Sequence, residues 1–96
     1  MPARRKIHLP LTEMENEDIG FECPESGPIL SGDGTADEDL VCGRCERTLF
    51  LALTRDDLYE ALVKGFALTK TRGRRFPLVA ICDCGAINRV WPLIPG

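Results

Sequence analysis

The sequence predicts a small β-rich domain held around a metal ion, with one α-helix inserted between two β-hairpins. Two close cysteine pairs, Cys42-Gly43-Arg44-Cys45 and Cys82-Asp83-Cys84, each place two thiolates in one tight loop. Short strand-like segments enter and leave both loops. Two such loops brought together make a tetrahedral cage of four sulfur atoms, which is the ligand set that a structural zinc ion requires.

The chain is short enough that a metal would matter to its stability. Its 96 residues make one domain, or a small domain with a tail. A chain of this size buries only about 60–65% of the surface that its unfolded form exposes, and small folds commonly add a metal to compensate. No run approaches the roughly 20 apolar residues of a membrane span, and no apolar leader is expected. We expect a cytoplasmic protein without membrane contact, because close cysteine pairs in a reducing compartment bind metal more often than they form disulfides.

Charge is distributed unevenly along the chain, although the net charge is only −3. Residues 7–43 contain ten acidic residues and no Lys or Arg, whereas residues 44–96 contain nine basic residues and five acidic ones. The acidic part is also rich in Pro, Gly and Ser between residues 24 and 39. Composition therefore predicts an acidic N-terminal arm and loop over residues 1–39, partly disordered, followed by the metal-bound domain over residues 40–96.

One helix and four strands are expected from local patterns. Thr54 is a good N-cap with Asp57 three residues on, and an apolar face follows, so the helix should run from Arg55 to Lys64 and stop at Gly65. Apolar alternation and β-branched or aromatic content predict the strands. The strand segments are Ile19–Cys23, Thr48–Leu53, Phe76–Ile81 and Ile87–Trp91.

The order of these elements resembles the zinc-ribbon or rubredoxin-like family. The shared pattern is strand, CxxC, strand, then strand, a second cysteine pair with Gly, and strand, and it covers about residues 40–93. The segment Cys84-Gly85-Ala86-Ile87-Asn88 is similar to the second zinc knuckle of such proteins. This chain departs from the family in its CxC second pair and in the 36 residues between the pairs, which the helix and a basic loop would fill as an insertion. The resemblance implies one Zn²⁺ ion with four ligands: Cys42, Cys45, Cys82 and Cys84.

Several alternatives stay open at this level. Cys23, in the knuckle-like sequence Cys23-Pro24-Glu25-Ser26-Gly27, could replace one cysteine of the CxC pair or be a buried small side chain. Four thiolates could hold iron in place of zinc. A thiol redox protein is a further alternative. A redox CxxC pair has its first cysteine at a helix N-terminus, which lowers the pKa of that thiol, whereas a strand-like segment follows Cys45 here. His8 is expected in a solvated tail and not as a ligand.

The residues that could contact a partner lie mainly in one basic loop. Four bases within six residues could neutralise three or four phosphates, which suggests a nucleic-acid-binding module. The candidate nucleic-acid-binding residues are Lys70, Arg72, Arg74 and Arg75. The alternative is a protein-interaction adaptor, with the acidic segment either solvating the chain or screening the basic loop. No phosphate loop or nucleophile–base arrangement is evident, so enzymatic activity is not expected, and the oligomeric state is undetermined.

Overall fold

A computed structural model describes residues 4–68 and 75–92. Within these ranges the chain forms a small β-rich domain of seven strands and one helix. The strands are β1 (Arg5–His8), β2 (Ile19–Glu22), β3 (Leu30–Ser31), β4 (Glu38–Val41), β5 (Thr48–Leu51), β6 (Leu78–Ile81) and β7 (Ile87–Trp91), and the helix is α1 (Arg55–Gly65). They form a four-stranded sheet of order β1-β4-β5-β3 and a three-stranded sheet of order β2-β6-β7.

Each sheet is built on one antiparallel hairpin that carries one cysteine pair. Strands β4 and β5 flank Cys42 and Cys45, and strands β6 and β7 flank Cys82 and Cys84. A further strand lies parallel to the first strand of each hairpin, β1 beside β4 and β2 beside β6. The two sheets therefore share one arrangement, an antiparallel hairpin with a parallel strand from earlier in the chain. This parallel strand is far from the hairpin in sequence, so local patterns do not predict the pairing.

Residues 4–39, expected as an arm and loop, supply strands β1, β2 and β3, and β4 crosses the expected boundary after residue 39. Opposite charges accompany the pairing of β1 with β4. The guanidinium of Arg4 lies 3.2 Å from the Asp39 carboxylate, and that of Arg5 lies 3.7 Å from Glu38. Asp39 also accepts a 2.9 Å hydrogen bond from the buried backbone N–H of Ala52. Part of the acidic run thus pairs with the basic start of the chain.

The helix and the four expected strands are confirmed within one to two residues at most of their ends. Thr54 Oγ1 accepts a 3.2 Å hydrogen bond from the Asp57 N–H at the helix N-terminus. Leu58 and Leu62 are buried on the inner face of α1. Tyr59 is buried as well, and its hydroxyl accepts a 2.9 Å hydrogen bond from the Phe76 N–H.

One apolar core joins both sheets to the helix. Leu40 and Phe50 contribute from the first sheet, Leu78 from the second, and Leu62 from α1, and all four are fully buried. The hairpin ends that carry the cysteines emerge from this core.

Candidate metal centre

The four cysteines of the two pairs meet at one point between the sheets. Their sulfur atoms all lie within 4.8 Å of one another, although 36 residues separate the pairs. The Sγ atoms of Cys42 and Cys84 are 3.7 Å apart, and those of Cys45 and Cys82 are 3.4 Å apart. Each short contact joins one hairpin to the other, so the cluster links the two sheets.

These distances suit a tetrahedral ion and not a disulfide. Four sulfur atoms placed 2.3 Å from a central zinc ion would lie about 3.8 Å from one another. A disulfide would bring two sulfur atoms to about 2.05 Å, and all five cysteines are free. The four-cysteine cluster is therefore compatible with a metal ion, and its donor set is the one that closed structural zinc sites use.

Local turns aim the sulfur atoms inward. In the first loop the Cys42 N–H donates to the Arg47 carbonyl at 2.8 Å, and in the second the Cys82 N–H donates to the Ala86 carbonyl at 2.9 Å. Gly85 has φ of +91°, a left-handed conformation that favours glycine. Gly43 is needed for a different reason, because a Cβ there would lie 2.4 Å from the Leu9 carbonyl oxygen.

The electrostatic environment of the Cys42 thiol differs from that of the Cys82 thiol. Burial of Cys42 opposes its ionisation, but hydrogen bonds from the backbone N–H groups of Cys45 and Arg44 and from the Asn88 amide lower the pKa of Cys42 to about 6. For Cys82, burial together with the neighbouring thiols raises the pKa to about 12. Backbone and amide donors thus favour the Cys42 thiolate, whereas burial disfavours the Cys82 thiolate.

Asn88 connects the two cysteine loops, and the sequence analysis did not single it out. Its side chain is fully buried in β7. Its Oδ1 accepts a 2.8 Å hydrogen bond from the Gly43 N–H, and its Nδ2 donates to Cys42 Sγ at 3.6 Å and to the Ala80 carbonyl at 3.3 Å. A polar residue at an inward position of an apolar strand was the available signal.

Two candidate ligands from the sequence lie elsewhere. Cys23 does not belong to the four-sulfur cluster found among the described residues. It is half-buried at the end of β2, and burial raises the pKa of its thiol, as expected for a small apolar side chain. His8 Nε2 lies 2.7 Å from the Glu46 carboxylate and so has a partner other than a metal ion.

Of the basic-loop residues, Lys70, Arg72 and Arg74 lie outside the described residues. The guanidinium of Arg75 stacks 4.8 Å from the Tyr59 ring centre and 4.6 Å from that of Trp91, and it lies 3.7 Å from the Glu60 carboxylate. Arg75 thus covers aromatic side chains that join α1 to β7, and a phosphate would compete with these contacts.

The class that the fold and the cluster define is a small β-rich domain with a four-cysteine site able to hold a metal ion. No protein-family model, no curated protein and no solved structure matches this chain. Among the described residues, no helix has the length and apolar character needed to cross a membrane.

Proposed function

We propose that this chain is a structural zinc module in which Cys42, Cys45, Cys82 and Cys84 bind one Zn²⁺ ion in the manner of a zinc ribbon. The convergence of four sulfur atoms within 4.8 Å, at spacings near those of a tetrahedral site, carries this proposal. When bound, the ion would supply a cross-link between the two hairpins, and Asn88 would hold the first loop against the second. A reducing compartment such as the cytoplasm would keep the thiols available.

The proposed role of the metal is structural and not catalytic. Four thiolates complete a tetrahedral zinc site, whereas a catalytic zinc keeps one position open. Strand β5, and not a helix N-terminus, follows Cys45, so the helix dipole that activates a redox CxxC pair is missing there. These features support a non-enzymatic module.

Metal removal tests this proposal directly. Protein purified without added metal is expected to contain one zinc ion per chain, as measured by inductively coupled plasma mass spectrometry. Chelation should unfold the domain cooperatively, because structural zinc contributes apparent binding free energies of about 10–16 kcal/mol. Zinc-free protein with an unchanged near-UV spectrum and melting temperature would contradict the proposal. A red protein that contains iron would show that the bound metal is iron and not zinc.

A matched variant pair separates ligands from neighbours. Cys84→Ser removes one ligand and should abolish stoichiometric zinc, whereas Cys23→Ser should retain one zinc per chain. Loss of zinc from Cys23→Ser alone would instead make Cys23 the fourth ligand.

For the partner, we propose a protein in preference to a nucleic acid. The full chain has fifteen acidic residues against twelve Lys and Arg, which gives a net charge of −3. Zinc with four thiolates would add a charge of about −2 to this negative surface. The predicted contact through Lys70, Arg72, Arg74 and Arg75 would have to overcome that field, because phosphate binding is dominated by charge.

Fluorescence anisotropy with short single- and double-stranded nucleic acids distinguishes the two partner classes. We expect no binding by the zinc-loaded protein at low salt. Binding that weakens on the order of 10²-fold between 50 and 200 mM salt would overturn the protein-partner proposal and restore the basic loop as the contact.

A further inference from the structure

Two of the three large apolar side chains that are exposed in the described residues lie beside strand β2. Among the described residues, the large apolar side chains that are exposed are Leu11, Met14 and Phe66, with 52%, 45% and 45% of their surface accessible. Met14 and Phe66 line one groove of about 580 Å³, which we call the β2 groove. Its apolar lining is Met14, Phe21, Phe66, Leu68 and Ile81, with Gly20 at its floor. Contiguous exposed apolar patches mark interaction sites more often than isolated apolar residues do.

Within residues 4–68 and 75–92, the groove runs along an open sheet edge. Strand β2 is the end strand of its sheet, and the backbone N–H groups of Ile19 and Cys23 donate toward β6, to the carbonyls of Pro77 and Ile81. Because backbone groups alternate along a strand, those of Gly20 and Glu22 point away from β6. The opposite edge of this sheet, along β7, is already paired with residues 10–12. The Arg89 N–H donates to the Pro10 carbonyl, and the Thr12 N–H donates to the Ile87 carbonyl. The β2 edge is thus a template for one further strand.

Apolar groups flank this edge on both faces of the sheet. On the core side, the Phe66 ring lies 4.8 Å from the Phe21 ring. On the other side, Met14 and Ile81 lie over Gly20 so closely that a Cβ there would meet them at 3.3 and 2.9 Å. A strand added to β2 would place alternate side chains against these two apolar surfaces.

Charge identifies what would fill the groove. Glu22 lines it, and the exposed Glu17 and Glu25 lie two residues before and three residues after β2, in a segment (residues 7–43) without Lys or Arg. A second copy of this chain would bring like charges together along both edges, which is unfavourable. An extended segment with alternating apolar and basic residues would bury its apolar side chains and pair its charges with the rim.

We infer that the β2 groove binds an extended, basic and apolar segment of a partner protein, which adds to β2 as a fourth strand. The inference rests on the proposed function, in which the zinc-loaded module binds a protein, and it specifies where and through which chemistry. Backbone hydrogen bonds to Gly20 and Glu22 would supply affinity, and the apolar flanks and acidic rim would supply selectivity.

The probe is an acetylated eight-residue peptide that alternates Lys and Val, and its control alternates Glu and Val. Binding to zinc-loaded, isotope-labelled full chain is followed by NMR. We expect the Lys–Val peptide to protect the amides of Gly20 and Glu22 from hydrogen exchange, and the Glu–Val peptide to leave them unchanged. Phe66→Ala and Met14→Ala should each weaken binding about tenfold, whereas Leu11→Ala, equally exposed but outside this groove, should not.

Three results would overturn the inference. They are equal binding of both peptides or of neither, amide changes confined to other regions, and a dimer in light scattering whose β2 amides are protected without peptide. Met14→Ala keeps the test decisive if Phe66→Ala loses stability through its contact with Phe21. Zinc content and melting temperature of the same samples separate this failure from that of the proposed function, since a zinc-loaded, folded chain that ignores the peptide refutes the groove alone.

Discussion

Replacing Asn88 tests whether the protein scaffold, and not the four cysteines alone, determines the affinity of the metal site. Asn88→Ala would remove the acceptor of the partly buried Gly43 N–H and the buried donor to Cys42 Sγ. A buried donor left without a partner costs about 1–3 kcal/mol, and the lost side chain leaves a cavity as well. We therefore expect a loss of about 2–4 kcal/mol in the free energy of unfolding of the zinc-loaded protein.

The zinc affinity should fall together with the stability. Loss of a residue that orients a metal ligand typically weakens metal binding about 10- to 100-fold. Competition with a coloured chelator measures that affinity, and thermal unfolding measures the stability. For a domain of this size, a loss of 2 kcal/mol corresponds to a melting temperature lower by about 8 °C or more.

Two comparison variants make the result interpretable. Asn16→Ala changes the same residue type at an exposed position and should alter neither quantity. Asn88→Asp retains an acceptor for Gly43 but adds a negative charge beside the thiolates, so it should bind zinc more weakly than Asn88→Ala. Zinc affinity of Asn88→Ala within twofold of the native value would refute the reasoning, because the loops would then be positioned without this side chain.

Two other contacts give further predictions. Asp18 and Arg89 form a buried ion pair with contacts of 2.7 and 3.2 Å, so Asp18→Asn should cost about 3 kcal/mol in chemical denaturation and Glu17→Gln almost nothing. Hydrogen bonds from Arg89 lower the pKa of Asp18. The stabilisation of the fold by this ion pair is therefore complete above the ordinary carboxyl pKa of about 4, and it is lost as the pH falls through the lower pKa of the folded protein. A carboxyl NMR titration of Asp18 with a midpoint at or above about 4 would contradict this. Gly43→Ala would bring a Cβ against the Leu9 carbonyl and should cost about 1–3 kcal/mol, measured by melting of the zinc-loaded protein, with unchanged melting counting against the close contact.

Local patterns were sufficient for the elements nearest to the cysteines. Thr54 and Asp57 predicted where α1 begins, and Gly65 where it ends, because capping depends on residues within one turn. Strands β5, β6 and β7 beside the cysteine pairs were also predicted, since their apolar content is local, whereas β4 begins at Glu38 in the segment expected as an acidic loop. The cysteine spacing predicted that each loop positions its own two thiols, and the resemblance to zinc ribbons implied that the two pairs form one four-sulfur cluster.

The pairing of β1 with β4 and of β2 with β6 could not be predicted from local sequence in the same way. Residues 5–8 look like a charged tail, and their strand conformation depends on hydrogen bonds to β4 and on the acidic partners Glu38 and Asp39, more than 30 residues away. The acidic run therefore does not act as one unit, because Asp18, Glu38 and Asp39 each pair with a different arginine.

The sequence by itself determined the chemistry of this protein: four thiolates in two tight loops, one capped helix, and an acidic half without Lys or Arg. Those features arise from residue identity and short spacing, which sequence records directly. Only the tertiary structure decided that Cys23 stands outside the cluster, that Asn88 joins the two loops, and that β2, in the part of the chain described, is left at an open edge beside Met14 and Phe66. These spatial relations depend on which distant segments pack together, and that packing is determined by the free energy of the whole fold and not by any local segment.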